Sequence, residues 1–161
     1  MMKISLLPIL LIASLFAQPN WSATITASST EGLSYDMTFG FSPDATDGYD
    51  EGIDMYAPPP PPTGTYDAAL TWGGERYYTQ LLVGAEEDTV LHEYGIALQY
   101  PSSDNTIIIS WDNTGWSDMM SSCVLTDAFD GMMGVNVDML SETTLTLTNP
   151  AFALLKLKVT P

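Results

Sequence analysis

A two-residue period runs through most of this chain. Leu33, Tyr35, Met37, Phe39 and Phe41 alternate with Ser34, Asp36, Thr38 and Gly40. Tyr66, Ala68, Leu70 and Trp72 alternate in the same way, as do Val90, His92, Tyr94, Ile96, Leu98 and Tyr100. Shorter runs follow at Ile107, Ile109 and Trp111, at Val135, Val137 and Met139, and at Leu145 and Leu147. Successive side chains of a strand point to opposite faces, so such alternation buries one face and wets the other. No window carries the 3.6-residue period of an amphipathic helix. Turn-forming residues separate the runs, at Gly73-Gly74, Pro101 to Asn105, Asp112 to Gly115, Asp130-Gly131 and Asn149-Pro150. The pattern predicts an all-β fold, an antiparallel Ig-like or jelly-roll-like β-sandwich of about nine strands. Near the end, Phe152 and Leu154 change phase to Leu155, Leu157 and Val159, which reads as a bulge that turns Lys156 and Lys158 outward.

The N-terminus predicts a secretory leader. Lys3 precedes an apolar run from Ile4 to Ala17, and small residues stand at Ala17 and Ala23. The run is shorter than the roughly 20 residues a membrane-spanning helix needs. The expected division is a cleaved leader over 1–23, ending at Ala23 or Ala17, and a single domain over 24–161. The expected location is therefore extracellular or at the cell surface, with no membrane insertion of the mature chain. Cys123 is the only cysteine and reads as a small buried hydrophobe within a strand. Loss of Lys3 with the leader leaves Arg76, Lys156 and Lys158 against 20 acidic residues. Such a surface repels nucleic acid and anionic membranes.

One segment breaks the alternation. The loop 42–63 places Asp44, Asp47, Asp50, Glu51 and Asp54 within eleven residues and then runs through Pro58 to Pro62. Prolines cannot donate to a sheet ladder, so the run predicts a polyproline II spacer of roughly 15 Å. Close carboxylates need either a cation or backbone N–H groups to compensate them. Asp44, Asp47, Asp50 and Asp54, with Gly48 and Gly52 between them, suit calcium, which takes oxygen ligands from a flexible loop. Their spacing is not that of an EF-hand. The alternative is a turn-rich loop whose carboxylates cap its own N–H groups. Asp127 and Asp130 beside Gly131 form a second, smaller acidic group.

The sequence Phe39-Gly40, Asp44-Ala45-Thr46-Asp47-Gly48-Tyr49-Asp50, Asp54, the proline run and Tyr66-Asp67-Ala68 resembles a β-sandwich module of bacterial secreted and surface proteins. Ile109-Ser110-Trp111-Asp112, Gly115-Trp116, Leu125-Thr126-Asp127 and Val135 to Met139 are similar to its later strands. Such modules often precede the sorting domain of the type IX secretion system, and no such domain is expected within residues 24–161. The resemblance implies a β-sandwich without assigned catalytic residues.

Catalytic constellations are sparse. His92 is the only histidine, and its place in an alternating run reads as packing. No Gly-x-Ser-x-Gly elbow, His-Glu-x-x-His pair or Gly-rich phosphate loop occurs. Trp72, Tyr77, Tyr78, Trp111 and Trp116 include candidates for stacking on sugars. Trp111 is in phase with core residues, while Trp116 and Tyr77-Tyr78 lie near turns. The methionine pairs Met119-Met120 and Met132-Met133 read as core filler or, on an exposed edge, as part of an assembly contact. The expectation is a non-enzymatic structural, assembly or adhesion protein with protein partners, itself or others. A carbohydrate-binding module, with polysaccharide as partner, is the alternative.

Overall fold

Eleven strands carry the alternating segments. The computed structural model describes residues 20–84 and 88–161. The strands are Trp21–Ser29 (β1), Ser34–Ser42 (β2), Met55–Tyr56 (β3), Asp67–Trp72 (β4), Glu75–Val83 (β5), His92–Gln99 (β6), Ile107–Trp111 (β7), Ser122–Asp127 (β8), Asn136–Asp138 (β9), Thr144–Leu147 (β10) and Leu154–Thr160 (β11). The one helical element among the described residues is a 3-10 turn at Trp116–Asp118. The fold is all-β.

The strands form one sheet in the order β10-β7-β1-β2-β5-β4-β6-β11-β8-β9, with β3 attached to β5. The β2–β5 contact is parallel, from Thr38 opposite Thr79 to Ser42 opposite Val83. The other pairs are antiparallel. The outermost strands, β9 and β10, are consecutive in the chain. The segment between them closes most of the gap: Met139 N–H donates to Cys123 C=O and Trp111 N–H to Thr143 C=O. Asn113 stitches the closure by donating to the carbonyls of Met139, Leu140 and Glu142 at 3.0–3.1 Å. The result is a mixed, nearly closed, barrel-like sheet of ten to eleven strands rather than a purely antiparallel arrangement of nine. Closure removes open edges, which would otherwise invite pairing with other chains.

The differences from the expected strand set have local causes. Trp21, Ala23, Ile25 and Ala27 alternate with Ser22, Thr24 and Thr26 and form β1, so the last residues of the expected leader belong to the sheet. Its earlier part lies outside the described residues. The slip before Leu155 is a turn rather than a bulge, since Phe152 N–H donates to Asn149 C=O and β11 starts only at Leu154. In β5 the buried set changes phase between Tyr77 and Gln80, because the strand pairs with β4 in its first part and with β2 in its second. No single period could mark it.

The core fills the shell. Phe39 stands at its centre, with Trp21, Tyr94 and Trp116 rings at 5.7–5.8 Å in edge-on contact, the geometry that aromatic quadrupoles favour. Tyr94 donates its hydroxyl to the carbonyl of Gly40 at 2.9 Å, satisfying a buried pair. A Cβ on Gly40 would stand 2.2 Å from the Trp21 carbonyl oxygen, so β1 and β2 approach here as only glycine permits.

Candidate functional site

Two loops hold the acidic residues that the sequence singles out, and both are built by carboxylates accepting from backbone N–H groups.

The first is the acidic–proline loop. Asp54 is buried, and its carboxylate accepts from Leu81 N–H at 2.9 Å and from Asp50 N–H at 2.8 Å. Asp50 accepts in turn from the Thr46 backbone at 2.5 Å and from the Thr46 hydroxyl. Fully buried Gln80 reaches the Gly48 carbonyl at 2.9 Å, and the Trp72 indole N–H donates to the Asp47 carbonyl at 2.9 Å. Asp47 accepts a long contact from Val83 N–H at 3.4 Å, and Asp44 stays exposed. These partners place Asp50 and Asp54 as caps. Among the described residues, no three His, Cys, Asp or Glu side chains converge to hold a metal ion. Tyr49, Tyr56 and Tyr77 stack beside the loop at centroid distances of 4.3 and 4.9 Å. Burial, with a hydrogen bond to Tyr56, pushes the Tyr77 hydroxyl up to about 12. The proline run is fixed to the sheet at both ends. Arg76 donates to the Pro58 carbonyl while paired with Asp67, and Gln99 donates to the Pro61, Pro62 and Thr65 carbonyls.

The second loop runs from Asp127 to Val135. Asp127 closes β8 and is 1 % exposed. One of its oxygens accepts from Phe129 and Gly131 N–H at 2.9 and 3.1 Å, the other from Met133 and Val135 N–H at 3.0 and 3.1 Å. Burial opposes the charge, but the four N–H bonds outweigh it and hold the carboxyl below its usual range. Asp130, at φ 58°, occupies the left-handed region that Asp tolerates. Its carboxylate pairs with Lys156 at 3.0 Å and Lys158 at 2.7 Å, and both lysines also reach Glu93.

This wiring turns the loop's apolar side chains outward. Phe129 is 59 %, Met132 88 % and Met133 52 % exposed, and Leu154 at the start of β11 is 57 % exposed. Phe129, Met133, Phe152 and Leu154 line a shallow groove of about 210 Å3. Of the four methionines read as filler or edge contact, Met120 is buried, Met119, Met132 and Met133 are exposed.

The other named residues fall elsewhere. His92 lies against the Phe41 ring at 4.7 Å and pairs with Asp88 at 2.8 Å. Trp111, Trp116 and Tyr77 are buried, so they present no face to a sugar. Trp72 and Tyr78 are half-buried. Cys123 is fully buried against Met139. Sequence reasoning named Met132-Met133 as core filler or an edge contact but did not join them to Phe129. The cluster's one sequence signal is three large apolar residues in a Gly-rich turn, outside any alternating run. Comparison with family models, curated proteins and solved structures finds no match to this chain.

Proposed function

We propose that this is a non-enzymatic secreted or cell-surface protein that assembles through the loop 127–135, and that the occupant of its apolar groove is a second copy of the same chain. The exposed Phe129, Met132, Met133 and Leu154 carry this reading. Large apolar side chains grouped on a rigid, solvent-facing loop mark contact sites. Four hydrogen bonds to Asp127 fix the loop before any partner arrives, so little ordering entropy is lost on docking.

Charge selects the partner. The chain carries a net charge of −16, so two copies repel over most of their surfaces. Beside the groove, Lys156 and Lys158 neutralise Glu93 and Asp130. Two copies therefore meet here with the least repulsion. A leader ending at Ala17 delivers the domain with β1 intact. The sandwich-like reading of the shell, two facing layers joined at their rims, fits such a building block. Calcium at Asp44, Asp47, Asp50 and Asp54 would need Asp50 and Asp54 to exchange their N–H partners for the ion.

Sedimentation of the mature protein over a concentration series tests the reading. Association should strengthen with added salt, which screens charges beyond about 10 Å at 0.1 M. Met132→Glu and Phe129→Asp should abolish it. A monomer at every concentration and salt level overturns the proposal.

A further inference from the structure

We propose that a cleft on the opposite part of the shell, where β2 and β5 part, binds a neutral polysaccharide. Pairing between these strands begins only at Thr38 and Thr79. Before that point β5 pairs with β4, with Tyr77 opposite Leu70, while β3 runs along β5 with Tyr56 opposite Tyr77 and Met55 opposite Thr79. The divergence opens a cleft of about 370 Å3 lined by Ser34, Asp36 and Thr38 of β2, Tyr78 and Thr79 of β5, and Met55. Tyr35 also lines it and stacks on Tyr78, with centroids 5.9 Å apart and planes 18° from parallel. Behind Tyr35 packs Tyr66, whose buried hydroxyl meets no hydrogen-bond partner among the described residues.

This lining matches a sugar. A pyranose offers an apolar C–H face and a rim of hydroxyls, and an aromatic pair beside hydroxyls and one carboxylate answers both. Thr26 donates to Asp36 at 2.7 Å and so fixes the carboxylate at the cleft edge. The hydroxyl surface extends beyond the cleft. Thr24 and Thr38 meet across β1 and β2 at 2.9 Å, and Thr26 stands opposite Ser110 of β7, itself opposite Thr144 of β10. A row of three hydroxyls, Thr26, Ser110 and Thr144, continued on β2 by Asp36 and spaced about 4.8 Å apart, suits an extended polymer better than a single ring. Asp36 is the only charged residue in the lining, and the net negative charge of the chain repels polyuronates. A polyanion is thereby disfavoured, and a single carboxylate already held by Thr26 gives a polycation no repeated pairing, so the polymer that fits the hydroxyl-rich lining is neutral.

Native gels containing dissolved glucan, xylan or mannan, with polygalacturonate as the charged control, test this. At least one neutral polymer should retard the wild-type chain. Tyr78→Ala should weaken retardation at least tenfold, and Asp36→Asn, a surface change that leaves the core intact, should weaken it severalfold. Met132→Glu, on the assembly loop, should leave it unchanged. No retardation by any of the neutral polymers overturns the proposal. So does retardation that Asp36→Asn and Tyr78→Ala both leave untouched. Equal retardation by polygalacturonate overturns the neutral assignment.

Discussion

If cleavage follows Ala17, the mature chain keeps Trp21; if it follows Ala23, the chain loses it. Trp21 is 9 % exposed, its ring lies 5.7 Å from Phe39 and 5.6 Å from Phe41, and its backbone pairs with Phe41. Truncating a buried Trp to Ala costs about 3–5 kcal/mol. A start at Thr24 removes that ring together with Ala23 and the pairing of Ser22 with Gly40, so about 4 kcal/mol is a lower bound. For a domain between the 100- and 150-residue classes, each kcal/mol moves the melting temperature by about 3–4 °C. A chain beginning at Thr24 should therefore melt roughly 12–16 °C below one beginning at Gln18. Trp21→Ala in the longer chain should reproduce most of the loss. Circular dichroism during heating measures both, and the mass of the exported protein identifies the natural start. Equal melting of the two chains, or an exported protein that begins at Thr24 and melts as the longer chain does, refutes the reasoning.

The acids of the proline loop should not behave alike. Asp54→Ala strands Leu81 and Asp50 N–H groups and should cost about 2–4 kcal/mol, whereas exposed Asp44→Ala should change stability by less than about 0.5 kcal/mol. Equal losses at the two positions, together with a melting temperature that rises with calcium and falls with EDTA, would assign the loop to an ion instead. Cys123 should stay unlabelled by thiol reagents in the native protein at pH 8, because burial, aided by Asp138, pushes its thiol up to about 12. Rapid stoichiometric labelling before unfolding would contradict the buried position. Asp127 has a lowered folded-state value, so its stabilisation is present above the unfolded value near 4 and lost as pH falls through the folded one. The melting gap between wild type and Asp127→Asn should shrink from pH 6 to pH 3, and a gap constant over that range would show that the charge contributes nothing.

Strand alternation was legible wherever one face of a strand meets the core and the other meets water. Residues 34–38 of β2 and 107–111 of β7 satisfy that condition, whereas β4 is buried on both faces from Asp67 to Leu70 and was legible from the alternation of its residue types alone. The pattern failed where two physical demands share one segment. Ala23 satisfies a leader's requirement for a small residue and also β1's requirement for a small inward side chain. Nothing in the local sequence separates those roles, and only the rings of Phe39 and Phe41 packed against Trp21 do so. β5 failed for a different reason, since its neighbours change halfway along its length. A strand that exchanges partners must also exchange faces, which erases the period.

The sites show the same limit more sharply. Sequence reasoning could place five carboxylates in one loop, but it could not say which oxygen atoms meet N–H groups. That depends on Leu81 of β5, 27 residues away from Asp54. Asp127 was visible only as a member of a small acidic group, because its four partners are backbone atoms that carry no sequence signature. Those bonds also explain why Met132 and Met133 face water, against the core role that their composition suggests. The four bonds wrap residues 129–135 around the carboxylate at the end of β8, and on the resulting turn Met132, between two donors, and Met133, itself a donor, both stand exposed. The loop's apolar surface is thus a consequence of its hydrogen bonding, and its exposure is built in rather than incidental.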